Sequence, residues 1–225
     1  IGQVIFSVSE DDSKFSMTGA LLEKNGNSLI MVATDGRRLS YINRLINSEI
    51  PDFSSIVIPS QFLGLIRKLS VNEGDFQVSI NTNILSIAFG SCIITTTLIK
   101  NEFPAYKRVI PERQSKVCIV NKNNLSNAIK RVSLLVESKY KKIIMDFSND
   151  NITVRTEDAS QDAGFEKIPC SYNGDDVCCA MNYTYLLSPM KVMESEDVRI
   201  EFTDPGRPFT LKCEPERDYL HVIMP

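Results

Sequence analysis

The chain repeats itself once. Ser13-Lys14-Phe15 returns as Ser138-Lys139-Tyr140, an offset of 125 (residue 13 to residue 138). Phe62-Leu63 returns as Tyr185-Leu186 at an offset of 123, and Phe76-Gln77-Val78-Ser79-Ile80 returns as Val198-Arg199-Ile200-Glu201-Phe202 at 122. Each match is weak alone, but the three offsets agree within three residues. Such a period is far too long for a solenoid. It implies two similar domains in tandem, each burying its own core, so the expected fold class is α+β with two helices packed on antiparallel sheets in each domain.

The local pattern fills in that plan. Alternating or Ile/Val/Thr-rich runs predict strands over 15–23, 28–34, 38–43, 76–80, 84–89 and 92–98. Asn25-Gly26-Asn27 and Gly90-Ser91 supply turns. A helix is predicted over 59–69, with Pro59 in its first turn and Phe62, Leu63, Ile66 and Leu69 on one face. The second copy has an amphipathic helix marked by Leu125, Ala128, Ile129, Val132 and Leu135 and introduced by Asn123-Asn124. Strands over 142–147 and 152–156 follow around Ser148-Asn149-Asp150, then a helix over 182–193 and strands over 198–202, 209–213 and 219–224. Pro189 removes a backbone donor inside that last helix and is expected to kink or shorten it. Residues 1–6 read as the tail of a helix.

Composition narrows the chemistry. With 225 residues, 43% hydrophobic and 24% charged, the chain can build two cores. Its net charge of −3 excludes nucleic-acid binding through the whole surface and leaves only a local basic face. Six cysteines, Cys92, Cys118, Cys170, Cys178, Cys179 and Cys213, form no CxxC pair, and His221 is the single histidine. That set does not fit zinc; the thiols read as buried and reduced in a cytoplasmic protein. No GxSxG, P-loop or GxGxxG occurs, and Asp11-Asp12, Asp175-Asp176 and Glu194/Glu196 read as solvated turns. No catalytic residue, cofactor, metal or membrane segment is expected.

Two features remain. Arg67 and Lys68 lie opposite the apolar face of the first helix, and Lys130 and Arg131 opposite that of the second; Lys139, Lys141 and Lys142 crowd a strand start. Any surface helix carries such charges, but duplicated helices with cations on their free faces also suit phosphate contacts that ignore base sequence. The other feature is Val32-Ala33-Thr34-Asp35-Gly36-Arg37-Arg38-Leu39. A strand ends in Thr-Asp-Gly, where Asp caps the turn and Gly takes positive φ, before two arginines and a new strand. The counterpart in the second copy, Thr156-Glu157-Asp158, lacks both the glycine and the arginine pair.

That segment resembles the ATDG-[HR]-RL hallmark of the bacterial β sliding clamp family, the processivity subunits of DNA polymerase III. Phe103-Pro104-Ala105-Tyr106-Lys107-Arg108-Val109-Ile110-Pro111 resembles the family's FPDYRRVIP linker, and Tyr219-Leu220-His221-Val222-Ile223-Met224-Pro225 its YVVMP ending. The likeness covers essentially the whole chain. It implies that residues 1–105 correspond to the middle domain, with its opening missing, and 106–225 to the C-terminal one. It further implies a full-length ring of two head-to-tail subunits around duplex DNA, helices lining the hole, with this chain alone a monomer.

The resemblance also implies a hydrophobic cleft that docks linear peptides of the polymerase III catalytic subunit, the clamp loader and repair proteins. The matching positions are Met17, Thr34, Gly36, Arg37, Arg38, Leu39, Pro104, Arg108, Val109, Asn182, Tyr185, Val222 and Met224. Met17 stands where the family often has Leu, and Arg37 where it frequently has His. A charge at Leu39 or Met224 is expected to abolish docking without unfolding. The cations assigned to face DNA are Arg67, Lys68, Lys122, Lys130, Arg131 and Lys191. Two other readings stay open: a duplicated peptide-binding or assembly module without a nucleic-acid role, and a cysteine-dependent enzyme.

Overall fold

A computed structural model describes residues 1–47, 50–69, 76–137, 139–157 and 164–225. The chain divides into two compact units, Ile1–Arg108 and Val109–Pro225. Ser138 and Asp158, used in comparing the repeats, lie outside the described residues.

Unit 1 opens with a turn and a 3-10 helix, Ile5–Ser7, where the sequence suggested the tail of a longer helix. A second 3-10 helix, Asp12–Met17, occupies the start of the strand expected from residue 15. Asp11 causes this: its Oδ1 accepts from the Ser13 amide at 2.9 Å and the Ser13 hydroxyl at 2.7 Å, bending the chain before it can extend. Then come β1 (Gly19–Asn25), β2 (Ser28–Thr34), β3 (Arg38–Leu45) and β4 (Ile56–Pro59), an antiparallel sheet ordered β4-β1-β2-β3. Pro59 therefore closes a strand, and helix α1 (Ser60–Leu69) starts after it. Phe62, Leu63 and Ile66 bury one face of α1, as their spacing requires. β5 (Gln77–Ile80), β6 (Ile84–Phe89) and β7 (Cys92–Thr97) form a separate 3-stranded sheet, and a short 3-10 turn, Tyr106–Arg108, ends the unit. Among the described residues α1 is this unit's only α-helix.

Unit 2 contains β8 (Lys116–Asn121), α2 (Lys122–Ser133), β9 (Lys142–Ser148), β10 (Asn151–Arg155), β11 (Phe165–Tyr172), β12 (Val177–Asn182), α3 (Tyr183–Met190), β13 (Asp197–Phe202), β14 (Phe209–Glu214) and β15 (Tyr219–Ile223). One antiparallel sheet runs β12-β9-β10-β11-β8-β13-β14-β15, with β8 joining its two halves. Leu125, Ala128, Ile129 and Val132 of α2 are buried, and α2 packs on α3. The start of α2 is set by Asn121, whose side chain accepts from the Asn123 and Asn124 amides, rather than by those two residues themselves. Helix α3 ends one residue after Pro189. The core includes Phe147, Phe202 and Phe209, with ring centroids 4.7 Å and 4.6 Å apart for successive pairs.

All six cysteines are free. Cys118, Cys179 and Cys213 are buried and Cys170 half-buried, but Cys92 and Cys178 are exposed, contrary to the expectation that all are buried. Burial pushes the Cys179 thiol up to about 12 and moves Cys118 in the same direction, so neither supplies a thiolate at neutral pH. His221 is buried on β15. Among the described residues no helix is long and apolar enough to cross a membrane.

Candidate functional site

The turn between β2 and β3 is braced from inside. Thr34 Oγ1 donates to the Arg38 carbonyl at 2.7 Å and accepts from the Gly36 amide at 3.1 Å. Asp35 Oδ1 accepts from the Arg37 and Arg38 amides at 2.9 and 3.0 Å, and Gly36 has φ of +89°. A side chain at that φ would be strained, so Asp-Gly is a local requirement of the turn. Thr34 and Leu39 face each other across the β2–β3 ladder, and Leu39 is 2% exposed.

The two arginines part company here. Arg38 is folded into the structure: Nε donates to Asp35 Oδ2 at 3.0 Å, Nη2 donates to the Phe6 carbonyl at 2.7 Å, and the guanidinium lies 5.8 Å over the Phe6 ring. Arg37 and Gly36 are exposed. Lys14 Nζ donates to the Asp35 carbonyl at 2.8 Å, tying the 3-10 helix that carries half-buried Met17 to this turn. Lys14 and Phe6 carried no sequence signal for this role, because a lysine amine and a backbone carbonyl leave no motif.

The remaining assigned residues fall into two groups. On unit 1, Pro104 is half-buried and Arg108 exposed, on the segment that follows β7. On unit 2, Val109 is 43% exposed at its start. Asn182 caps α3, its Oδ1 accepting from the Thr184 amide at 2.9 Å and the Thr184 hydroxyl at 2.7 Å, and Tyr185 is half-buried one turn on. Helix α3 packs against β15. There Val222 is 1% exposed, whereas Met224, just past the strand, is 40% exposed. Met224 is thus at the surface, whereas Val222 belongs to the core.

The assigned cations differ in availability. Arg67 and Lys68 sit exposed on the last turn of α1, Lys130 on that of α2, and Lys191 at the end of α3. All four are at helix C-termini, where a positive charge is favoured. Lys122 instead donates to the Met193 carbonyl at 2.7 Å. Arg131 is paired with Glu166, Nη2 to Oε2 at 2.6 Å, and that bond raises its pKa further. Among the described residues no cluster of side chains able to hold a metal occurs.

Comparison with known proteins gives a consistent result. Residues 1–105 match the model of the DNA polymerase III beta subunit, central domain, and residues 107–225 that of its C-terminal domain. A beta sliding clamp from Treponema pallidum is 35% identical over 229 residues, covering 100% of this chain and 62% of the relative. The crystal structure of a DNA polymerase sliding clamp from Pseudomonas aeruginosa superposes with a TM-score of 0.93 at 28% identity, covering 100% of this chain and 63% of that one. A Pseudomonas aeruginosa clamp bound to griselimycin gives the same score at 27% identity, covering 99% and 61%. The chain spans about 62% of the length of the curated relatives it matches.

Proposed function

Because this chain belongs to the DNA polymerase III beta-subunit family, we propose that it forms two domains of a sliding clamp, residues 1–105 the central and 106–225 the C-terminal one. The whole clamp is a non-catalytic ring around duplex DNA that tethers the polymerase III catalytic subunit, the clamp loader and repair proteins by their linear peptides. The observation that carries this reading is the internally braced Thr34–Leu39 turn. Its bonding is satisfied by Asp35, Lys14 and Phe6, which leaves Gly36 and Arg37 presented to solvent on a rigid frame. Preorganised polar groups beside apolar surface are what peptide docking needs.

Arg67, Lys68, Lys130 and Lys191 are the cations proposed to face phosphates, since all four are exposed. Such contacts attract DNA without reading sequence, which suits a protein that travels along it. For ring closure, unit 2 offers exposed apolar side chains: Leu134 is 83%, Leu135 55%, Phe165 72% and Tyr140 64% exposed. The chain by itself is proposed to be a monomer.

The docking reading is tested by fluorescence anisotropy with a labelled clamp-binding-type peptide. Met224→Asp is the informative variant, because Met224 is at the surface. Leu39→Asp is unsuitable: a charge at that buried position is expected to unfold the unit. Wild-type binding lost in a folded Met224→Asp supports the reading. No wild-type binding at high micromolar peptide, or undiminished binding by the variant, rejects it.

A further inference from the structure

The segment that carries Pro104 and Arg108 is held to the strands of unit 1 chiefly near its two ends. At the first, the Ile99 amide donates to the Val57 carbonyl at 3.0 Å, a single bridge on the outer edge of β4. At the second, the Tyr106 hydroxyl donates to Glu23 Oε1 at 2.5 Å. Tyr106 is 4% exposed and is the one buried residue between 99 and 109; Phe103 and Pro104 are half-buried and the others beyond Ile99 are exposed. The span walls a groove of about 710 Å³ together with Leu21, Glu23, Val57 and Asn83. A segment that borders a groove of that size on one side lacks there the dense packing that fixes core side chains. Its position therefore depends on its anchors.

Glu23 is well suited to be the main one. Its side chain is 17% exposed, and Lys107 Nζ lies 3.2 Å from the same oxygen that Tyr106 uses. Lys107 also lies 5.6 Å over the Tyr106 ring, and the Tyr41 ring is 6.2 Å from it. Burial, and then the bond to Glu23, push the Tyr106 hydroxyl far above its ordinary pKa, so it keeps its proton and stays a donor. A hydroxyl donating to a carboxylate is among the stronger single hydrogen bonds in proteins.

We infer that Glu23 is a positioning residue: by holding the Tyr106 hydroxyl it fixes the Pro104–Arg108 segment, and so the linker part of the peptide site, in its docking position. The inference rests on the docking function proposed above. Nothing in the motifs pointed to Glu23, which lies in β1, remote in sequence from the linker.

Four proteins test it: wild type, Tyr106→Phe, Glu23→Leu and Glu23→Gln. Phenylalanine removes the donor and leucine the acceptor, whereas a glutamine oxygen still accepts from Tyr106. Two readouts are taken at a temperature where circular dichroism shows all four folded. The first is the rate of trypsin cleavage after Lys107 and Arg108, read by mass spectrometry. The second is affinity for the labelled clamp-binding-type peptide. Losing one charge-assisted hydrogen bond should speed cleavage about tenfold and weaken the peptide roughly three- to tenfold in Tyr106→Phe and Glu23→Leu. Glu23→Gln keeps an acceptor but loses the charge and the Lys107 ion pair, so it should fall between wild type and Glu23→Leu in both. Unchanged cleavage and affinity in Tyr106→Phe and Glu23→Leu overturn the inference, as does a Glu23→Gln protein that behaves like Glu23→Leu. If wild type binds no peptide, the docking reading fails instead, and the cleavage rates alone decide whether Glu23 holds the segment.

Discussion

At the residue scale, charge in this chain is spent mostly on holding its own backbone and strands. Arg38 and Asp35 lock a turn, and in unit 2 a row of partly buried ions crosses two strands. Arg199 Nε donates to Glu201 Oε1 at 2.6 Å, and Lys212 Nζ reaches Glu201 Oε2 at 3.1 Å from the neighbouring strand, β14. Burial pushes the Glu201 carboxyl up, but the hydrogen bonds and charges of Arg199 and Lys212 outweigh it and hold its pKa below the ordinary value of 4.5. A carboxyl with a depressed folded pKa stabilises the fold above its unfolded pKa, and that contribution disappears as pH falls through the folded value. Unit 2 should therefore lose stability on acidification from about pH 4.5 downward. Glu201→Gln should cost on the order of 1–3 kcal/mol at neutral pH and flatten the acid limb. Urea unfolding of both proteins from pH 7 to pH 3 measures this; parallel pH profiles would show that the bonds to Glu201 add nothing.

At the element scale, the two Asn caps decide where helices begin. Asn121 starts α2 and Asn182 starts α3, each at the end of a strand, so strand and helix meet with no loop between them. Asn182 was assigned to peptide docking by resemblance, yet its side-chain oxygen already serves the cap. Asn182→Ala should lower stability by about 1 kcal/mol, and Asn182→Asp should restore it. Equal melting temperatures for all three proteins would mean that the cap is not what Asn182 contributes. Similar local rules explain which elements were legible. β2 and β6 have the expected bounds because their apolar alternation is bracketed by turn residues. β4 escaped because it is four residues long and ends in Pro59, and β11 because Pro169 sits inside it. β8 and β12 escaped too; the latter's paired cysteines read as a plain apolar run. Of the site, the Thr34–Leu39 turn was legible since its chemistry is local. Lys14, Phe6 and Glu23 were not, because each acts on a segment distant in sequence.

At the scale of the whole molecule, the two copies of the repeat share an element order but not an equal core. In unit 2, β8 lies between β11 and β13 and makes one continuous sheet. In unit 1, no strand of the unit joins β3 to β5 among the described residues, and its two sheets stay separate. The cost is visible at matched positions of the repeat. Val198 and Ile200 are 0% and 1% exposed, whereas their counterparts Phe76 and Val78 are 41% and 55% exposed. Ile84 and Ile93, in β6 and β7, add 43% and 74%. Full burial of a large apolar side chain stabilises a fold by about 1.5–3 kcal/mol, so partial exposure of several such groups removes a few kcal/mol from unit 1. A small domain has little stability to lose. Residues 109–225 expressed alone should therefore fold and unfold in one cooperative urea transition. Residues 1–108 alone should unfold at a clearly lower urea concentration. A midpoint for residues 1–108 equal to or above that of 109–225 would show that the exposed strand faces of unit 1 do not limit its stability.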